Sequence, residues 1–340
     1  MPPAASTLSE TLGNLNIFWV LGIAAGLSAL RFALLRSGSA AARAWAETSE
    51  TGLLAVTLCL LILRPFVLQA FFIPSASMEP TLIGNKAATD RILVNKLGYR
   101  FHPPRHDDVV VFLAPPEATV PDGLPPDADF IKRLIGLPGD RLQVVGGVVY
   151  ADGRPYNHAA VRQALARAGE FGSEAQSAGY VSQADHHVKF VSNGVLADTH
   201  LVTSARLAAI LTGMPNAVIS IKPGYVLRSG EKLDEPFTAE DPDYDMKIYQ
   251  GEPLKRAHGI LDDTVYQDVE LLQSQPISAA QFEADWAHPT EAIPAGRYLM
   301  MGDNRNDSSD GTYWGTLAAR RVVGRAQLVF WPPSSIGIVH

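Results

Sequence analysis

Three short segments of this sequence carry side chains that could act together as a nucleophile and its base. The first, 74–81, places the hydroxyls of Ser75 and Ser77 between two prolines, which favour extended or turn backbone over helix. If this backbone is a strand, residues two apart point to the same face. No G-x-S-x-G motif surrounds the serines, so the nucleophile turn of an α/β-hydrolase is not indicated.

The second segment, 130–135, reads FIKRLI and predicts a strand on which Phe130, Lys132 and Leu134 share one face. Burial between apolar neighbours lowers the pKa of a lysine, and a neutral amine can act as a general base. The alternative is a lysine on an edge strand whose ammonium reaches water. Arg133 points to the other face and does not deprotonate in proteins, so it is the poorer base.

The third segment is the loop 302–310, which reads GDNRNDSSD and follows a predicted strand. Its acidic residues suggest an EF-hand, but Arg305 stands at the third ligand position, which excludes a calcium site of that kind. We expect the short polar side chains of this loop to hold another residue by hydrogen bonds.

Together, these segments resemble the bacterial type I signal peptidase family. The match covers roughly 50–156 and 294–332, in the family's order. It rests on SxSMxPT at 75–81, RILVNK at 91–96, VVVFL at 109–113, FIKRLIGLPGD at 130–140 and the loop 302–310.

The resemblance implies a serine endopeptidase that removes signal peptides from exported preproteins and cuts after small residues in A-x-A sites. It implies Ser77 as the nucleophile, Lys132 as the general base and Ser308 as the hydroxyl that orients the lysine. Ser75 would be the side-chain donor to the oxyanion, together with the backbone N–H of Ser77. Asp310 would be a supporting acid.

The family's remaining residues can also be placed on this chain. Asp303 and Arg133 match a pair that ties the loop to the lysine strand. The residues that match the walls of the substrate pockets are Phe71, Ile73, Pro74, Met78, Leu82, Phe130 and Ile131. For each of these, packing in the core is the alternative. The sequence departs from the family pattern at Asn306-Asp307, at Phe130 and at Thr312, where better-known members have an Arg near the supporting acid.

The elements that must position these segments begin with two apolar runs. Residues 11–30 carry no charge and no base precedes them, which predicts a retained transmembrane helix rather than a cleavable signal peptide. A second run, 51–63, reaches spanning length as about 46–65 if Arg64 extends to an interface; a buried core helix is the alternative. Basic residues at 31, 36 and 43 place the loop 31–45 in the cytoplasm. The rest of the chain would then lie on the periplasmic side of a bacterial inner membrane.

After residue 75, turn-punctuated strands outnumber helical patterns, which predicts a largely antiparallel β catalytic domain. Predicted strands lie at 91–94, 109–113, 130–135, 141–145, 148–150, 297–301 and 321–331, with hairpin turns at Gly146-Gly147 and Asp152-Gly153 and helices at 158–168, 204–212 and 278–286. We expect residues 1–73 to be the membrane anchor. The catalytic core would be 74–156 and 294–340. Residues 157–293 would form an inserted, less regular β/α subdomain away from the dyad.

Composition limits the other functions. Acidic residues outnumber basic ones by 35 to 28, which argues against a nucleic-acid partner. A single cysteine excludes an intrachain disulfide framework and any Cys-rich metal site, and we expect no metal or cofactor. The acidic stretch 231–245 and the pair His186-His187 are interpreted as solvated. Expected partners are signal-peptide-bearing preproteins and the lipid bilayer, with the export translocon as a further candidate.

Three competing functions fit the sequence less well. A membrane-anchored binding protein without catalysis would lack one member of the dyad, and both are present. A self-cleaving Ser–Lys regulator would need a DNA-binding domain in place of 1–73. A histidine-dependent serine protease finds no Asp–His–Ser arrangement, since His102 and His106 lie in a Pro/Asp-rich loop.

Overall fold

The computed structural model describes residues 17–36, 39, 41, 44–48, 51–52, 67–84, 89–120, 123–171, 186–261, 264–268 and 279–340. The chain forms two compact units. One comprises residues 1–71 and 93–102, and the other comprises 72–92 and 103–340.

Within these residues the structure is built mainly of short strands. In chain order they are β1 Leu68–Phe72, β2 Arg91–Asn95, β3 Val109–Leu113, β4 Asp129–Gly136, β5 Leu142–Val145, β6 Val148–Ala151, β7 Arg154–Tyr156, β8 Val188–Val191, β9 Gly194–Ala197, β10 His200–Thr203, β11 Ile219–Lys222, β12 Tyr225–Arg228, β13 Glu231–Lys232, β14 Tyr244–Tyr249, β15 Glu252–Leu261, β16 Thr264–Asp268, β17 Arg297–Met301, β18 Leu317–Ala318, β19 Val322–Trp331 and β20 Gly337–Ile338. The α-helices are α1 Ile17–Arg36, α2 Gly98–Phe101, α3 Pro116–Thr119, α4 His158–Arg167, α5 Ser204–Thr212, α6 Ala279–Ala287 and α7 Gly311–Trp314.

The first unit contains α1 and most of β1. Helix α1 continues six residues beyond the predicted end at 30, because no helix-breaking residue occurs before Ser37-Gly38. Residues 11–16 of the first predicted span, and 49–50 and 53–65 of the second, lie outside the described residues. Among the helices that are described, none combines the length and apolar character needed to cross a membrane.

The large sheet of the second unit has the strand order β19–β3–β4–β17–β18, and β20 pairs with β19. All of these pairings are antiparallel, so the predicted fold class of the β domain is confirmed. Strand β3 is a run of β-branched and aromatic residues that is buried over Val109–Phe112. It lies beside β4, and its Val110 is the pairing partner of Lys132. The lysine is therefore held in the middle of the sheet.

A six-stranded sheet of order β13–β12–β5–β14–β15–β16 packs a second part of the core. This part contains Ile135, Leu142, Val226, Met246 and Leu299. Its side chains therefore come from segments that are up to about 165 residues apart in the sequence. The predicted hairpin at Asp152-Gly153 is confirmed, because β6 and β7 pair directly across these two residues, both of which have positive φ. The predicted hairpin at Gly146-Gly147 is wrong. Strand β5 pairs with β12 and β14, and β6 pairs with β11 and β7, so tertiary partners take both edges.

The segment 157–293 contributes a further cluster in which α4 and α5 pack against two three-stranded sheets, β10–β9–β8 and β11–β6–β7. Asn157 caps α4 by accepting a hydrogen bond from Ala160 N, and α5 ends at Gly213 with a φ of 75°. Both helices match the sequence prediction to within a residue. Strands β11, β12 and β14 of this segment pair with β5 and β6, which lie outside it. Its description as an inserted subdomain stays a prediction.

Candidate active site

The serine segment enters the site as a single turn of 3-10 helix, Ala76–Met78. Its N-cap residue, Ser75, is extended, and the Oγ atoms of Ser75 and Ser77 lie 3.2 Å apart. Ser77 is buried. Its backbone lies in the 3-10 turn and not in the strand that the sequence also allowed. The turn is fixed from the loop side, because the backbone N–H of Asn304 donates to the Ser77 carbonyl at 3.2 Å.

Lys132 reaches this turn from strand β4. Its Nζ lies 2.7 Å from Ser77 Oγ and donates to the Ile131 carbonyl at 2.9 Å. The side chain is buried, and burial lowers the pKa of Lys132 to about 8, against the nearby carboxylates of Asp310 and Asp303, which raise it. The direction predicted from the apolar neighbours in the sequence is confirmed. The two residues therefore form a hydrogen-bonded hydroxyl–amine pair with little access to water.

The loop 302–310 closes the site from strand β17. Asp310 Oδ2 accepts a hydrogen bond from Gly302 N at 2.8 Å, which joins the two ends of the loop. Asp310 Oδ1 accepts from both the N–H and the hydroxyl of Thr312, at 2.9 Å and 2.7 Å. The threonine that departs from the family pattern thus donates directly to the acid, and Asp310 is the N-cap of helix α7.

The hydrogen bonding of Ser308 differs from expectation. Its Oγ is buried, and it has no hydrogen-bond partner among the described residues, so the expected bond to Lys132 is absent. The hydroxyl instead lies against Gly302, where an added Cβ would overlap both Ser308 Oγ and the Ser77 carbonyl. The close packing of Gly302 is what brings Ser308 beside the serine turn.

Arg133 and Asp303 tie the loop to strand β4, as the sequence predicted. Two parallel hydrogen bonds of 2.8 Å and 2.6 Å join them, and both side chains are at most 1% exposed. Asp303 also accepts from Thr81 Oγ1 at 2.5 Å, and Arg133 donates to the carbonyls of Asp107 and His340. A buried pair of this kind is tolerated because its hydrogen-bonding groups are satisfied.

The residues expected to line the substrate pockets fall into two groups. Ile73, Met78 and Leu82 are buried in the core. Pro74 is exposed, while Phe130 and Ile131 are partly exposed at the start of β4 and can present surface to a substrate. Phe71 is half-buried in the first unit.

Several residues that hold the site were not found from the sequence. The interpretation of 231–245 as a solvated loop is wrong, because Glu240 and Asp241 are buried and Glu235 pairs with Arg305. His187 is also buried, between Glu79 at 4.0 Å and Glu240 at 3.5 Å, so a solvated histidine pair is wrong too. Burial would raise the pKa of Glu240, but the His187 hydrogen bond and the Arg162 charge lower it to about 2.

One sequence signal could have pointed to these contacts. An arginine in a loop that must pack against the lysine strand needs a countercharge, and the acidic stretch is the densest source of one. Within the described ranges, no group of three or more His, Cys, Asp or Glu side chains is arranged to hold a metal ion.

Comparison with known proteins identifies the family of this chain. The model of the family "Signal peptidase, peptidase S26" matches residues 45–204 and 210–331. Signal peptidase I of Leptolyngbya laminosa is 26% identical over 275 residues, covering 81% of this chain and 74% of its own length. Signal peptidase I of Aquifex aeolicus is 25% identical over 276 residues, with 81% and 80% covered. A probable signal peptidase I of Synechocystis is 47% identical over 104 residues, 30% of this chain and 50% of its own length.

The family match and the relatives define a serine endopeptidase. The chain belongs to the signal peptidase family, peptidase S26.

Proposed function

We propose that this chain removes signal peptides from exported preproteins with Ser77 as nucleophile and Lys132 as general base. The observation that carries the proposal is the 2.7 Å contact between Lys132 Nζ and Ser77 Oγ in a buried site. At that distance a neutral amine can accept the hydroxyl proton, and burial brings the neutral form into range near pH 8. A nucleophile within hydrogen-bond reach of its base is the expected arrangement for this chemistry.

The reaction follows from these positions. Ser77 Oγ attacks the scissile carbonyl carbon while its proton passes to Lys132 Nζ. The resulting ammonium then donates that proton to the departing amine, which breaks the peptide bond and leaves an acyl-serine. Lys132, neutral again, takes a proton from a water that attacks the ester, and returning it to Ser77 releases the new carboxyl terminus. Each step moves one proton through the same nitrogen.

The oxyanion of the tetrahedral intermediate would receive the Ser75 hydroxyl and the Ser77 backbone N–H. Ser75 Oγ lies 3.2 Å from Ser77 Oγ, so its hydroxyl could donate to the oxyanion on the carbon that Ser77 Oγ attacks. Donors of this kind each contribute about 3–4 kcal/mol because the charge develops only in the intermediate. Ser308 Oγ, unpartnered among the described residues, is available to accept a hydrogen bond from the lysine ammonium. Asp310 supports it by joining the ends of the loop.

Cleavage after small residues is part of the proposal. Phe130, Ile131 and Pro74 keep exposed surface at the site, and the buried Ile73, Met78 and Leu82 would form the floor beneath it. Shallow apolar walls exclude large side chains by steric overlap. A substrate strand would lie along the segment that precedes Ser77.

The membrane arrangement is also proposed. Two N-terminal spans, near 11–30 and 46–65, would anchor the chain in the bacterial inner membrane with a cytoplasmic loop between them. The catalytic core, 74–156 and 294–340, would face the periplasm with 157–293 as its insertion. Trp331, Ile336 and Ile338 expose half or more of their surface near the C-terminus, which supports contact with a lipid bilayer. The translocon is the proposed source of preproteins.

The test uses the purified full-length chain in detergent with a preprotein that carries an A-x-A signal sequence. We expect one cut directly after the A-x-A motif, identified by N-terminal sequencing of the product. Ser77→Ala should abolish the cut, and Ser220→Ala, at an exposed serine of β11, should not. Cleavage by folded Ser77→Ala at the wild-type rate would contradict the proposal.

A further inference from the structure

We propose that Glu235 is a positioning residue for the catalytic loop 302–310, acting through Arg305. The inference rests on the proposed function, because the loop carries Ser308 and Asp303. Glu235 lies in the acidic stretch, where the sequence shows no motif and the family resemblance fades.

Arg305 is completely buried within the loop. Its Nη2 pairs with Glu235 Oε1 at 2.5 Å, and its Nη1 donates to the Gly302 carbonyl at 2.6 Å. The Glu235 side chain is 10% exposed. A buried guanidinium that loses its carboxylate is strongly destabilised and must move or recruit water. Glu235 therefore keeps Arg305 where it can hold Gly302.

Gly302 is held by hydrogen bonds at both of its backbone polar groups. Its N–H is bound by Asp310 Oδ2 and its carbonyl by Arg305. An added Cβ would overlap Ser308 Oγ and the carbonyl of Ser77. A shift of Gly302 therefore displaces the Ser308 hydroxyl, which is proposed to orient Lys132.

Residues 240–243 of the acidic stretch form hydrogen bonds with Asn306, which follows Arg305 in the loop. Asn306 Nδ2 donates to Glu240 Oε2 at 2.8 Å and to the Asp241 carbonyl at 3.0 Å, and its Oδ1 accepts from Asp243 N at 3.0 Å. The Phe237 ring lies 3.9 Å from the Arg133 guanidinium. These contacts fix the stretch itself, so that Glu235 acts from a rigid support.

The test compares Glu235→Gln with Asp234→Asn in the full-length chain. Both remove one negative charge from adjacent residues, but Asp234 is exposed and has no hydrogen bond or ion pair among the described residues. We expect Glu235→Gln to lower kcat for an A-x-A peptide at least tenfold with KM changed less than twofold. Asp234→Asn should change neither by more than twofold. Glu235→Asp, which keeps the charge, should recover at least a third of the wild-type kcat.

A double variant separates positioning from general destabilisation. If Glu235 acts through the placement of Ser308, Glu235→Gln combined with Ser308→Ala should be within threefold of Ser308→Ala alone. Wild-type kcat in Glu235→Gln, a change confined to KM, or losses that multiply in the double variant would overturn the inference. If the glutamine variant does not fold, Glu235→Asp decides: a kcat below a tenth of wild type in a folded protein would also overturn it. Failure of the proposed function shows separately, as full activity of Ser77→Ala.

Discussion

The pH dependence of cleavage tests the proposed base most directly. Burial lowers the pKa of Lys132 from 10.5 to about 8, although Asp310 and Asp303 pull it upward. With a pKa of about 8, roughly one enzyme in eleven carries a neutral lysine at pH 7, against about one in three thousand at the unshifted value. The structure thus predicts a ~300-fold larger population of the active form at neutral pH.

The assay is kcat/KM from pH 6 to pH 10 with a peptide that carries Ala one and three residues before the cut. This parameter reports ionisations of the free enzyme. We expect an increase of about tenfold per pH unit below pH 8 and a plateau above it, because the neutral amine is the reactive form. Lys132→Arg should be inactive across the range, since a guanidinium stays protonated. Lys222→Arg, at an exposed lysine of β11, is the matched control.

Two results would refute this reasoning. A rate that is flat between pH 7 and pH 9, in protein shown to be folded at each pH, would mean that Lys132 does not supply the base. A rate that still rises about tenfold per pH unit up to pH 10, with no plateau, would mean that the buried position beside Ser77 does not perturb the lysine.

Three further perturbations follow from the contacts of the site. Asp303→Asn leaves the Arg133 guanidinium buried without its countercharge and should lower the free energy of unfolding by about 3–5 kcal/mol in denaturant titrations; a loss below 1 kcal/mol would contradict the structural role of the pair. Ser75→Ala should reduce kcat by about 100-fold with the melting temperature retained, and a KM effect alone would argue against an oxyanion donor. Gly302→Ala places a methyl group against Ser308 and the Ser77 carbonyl, and a displacement of ~1 Å there should cost about 100-fold in kcat; unchanged kinetics would show that the loop can yield.

Much of the fold could be predicted from local patterns. The run VVVFL and the segment FIKRLI form β3 and β4, and Asp152-Gly153 forms its hairpin, because β-branched residues and positive-φ turns act over a few neighbouring residues. The Arg133–Asp303 tie was carried over from the family resemblance. The predicted hairpin at Gly146-Gly147 does not form, because its flanking strands pair with strands that are distant in the sequence. Local turn signals do not predict such pairing.

The residue types and their neighbours identify which side chains could do chemistry: two serines between prolines, a lysine among apolar residues, and a polar loop. Their placement depends on packing between distant segments. The folded chain places Lys132 Nζ 2.7 Å from Ser77 Oγ and leaves Ser308 without the expected hydrogen bond. It also brings Glu235 of the acidic stretch into an ion pair with Arg305. The physical reason is that a buried charge needs a countercharge from wherever the chain passes. Sequence spacing does not encode that proximity, because Glu235 and Arg305 meet across 70 residues.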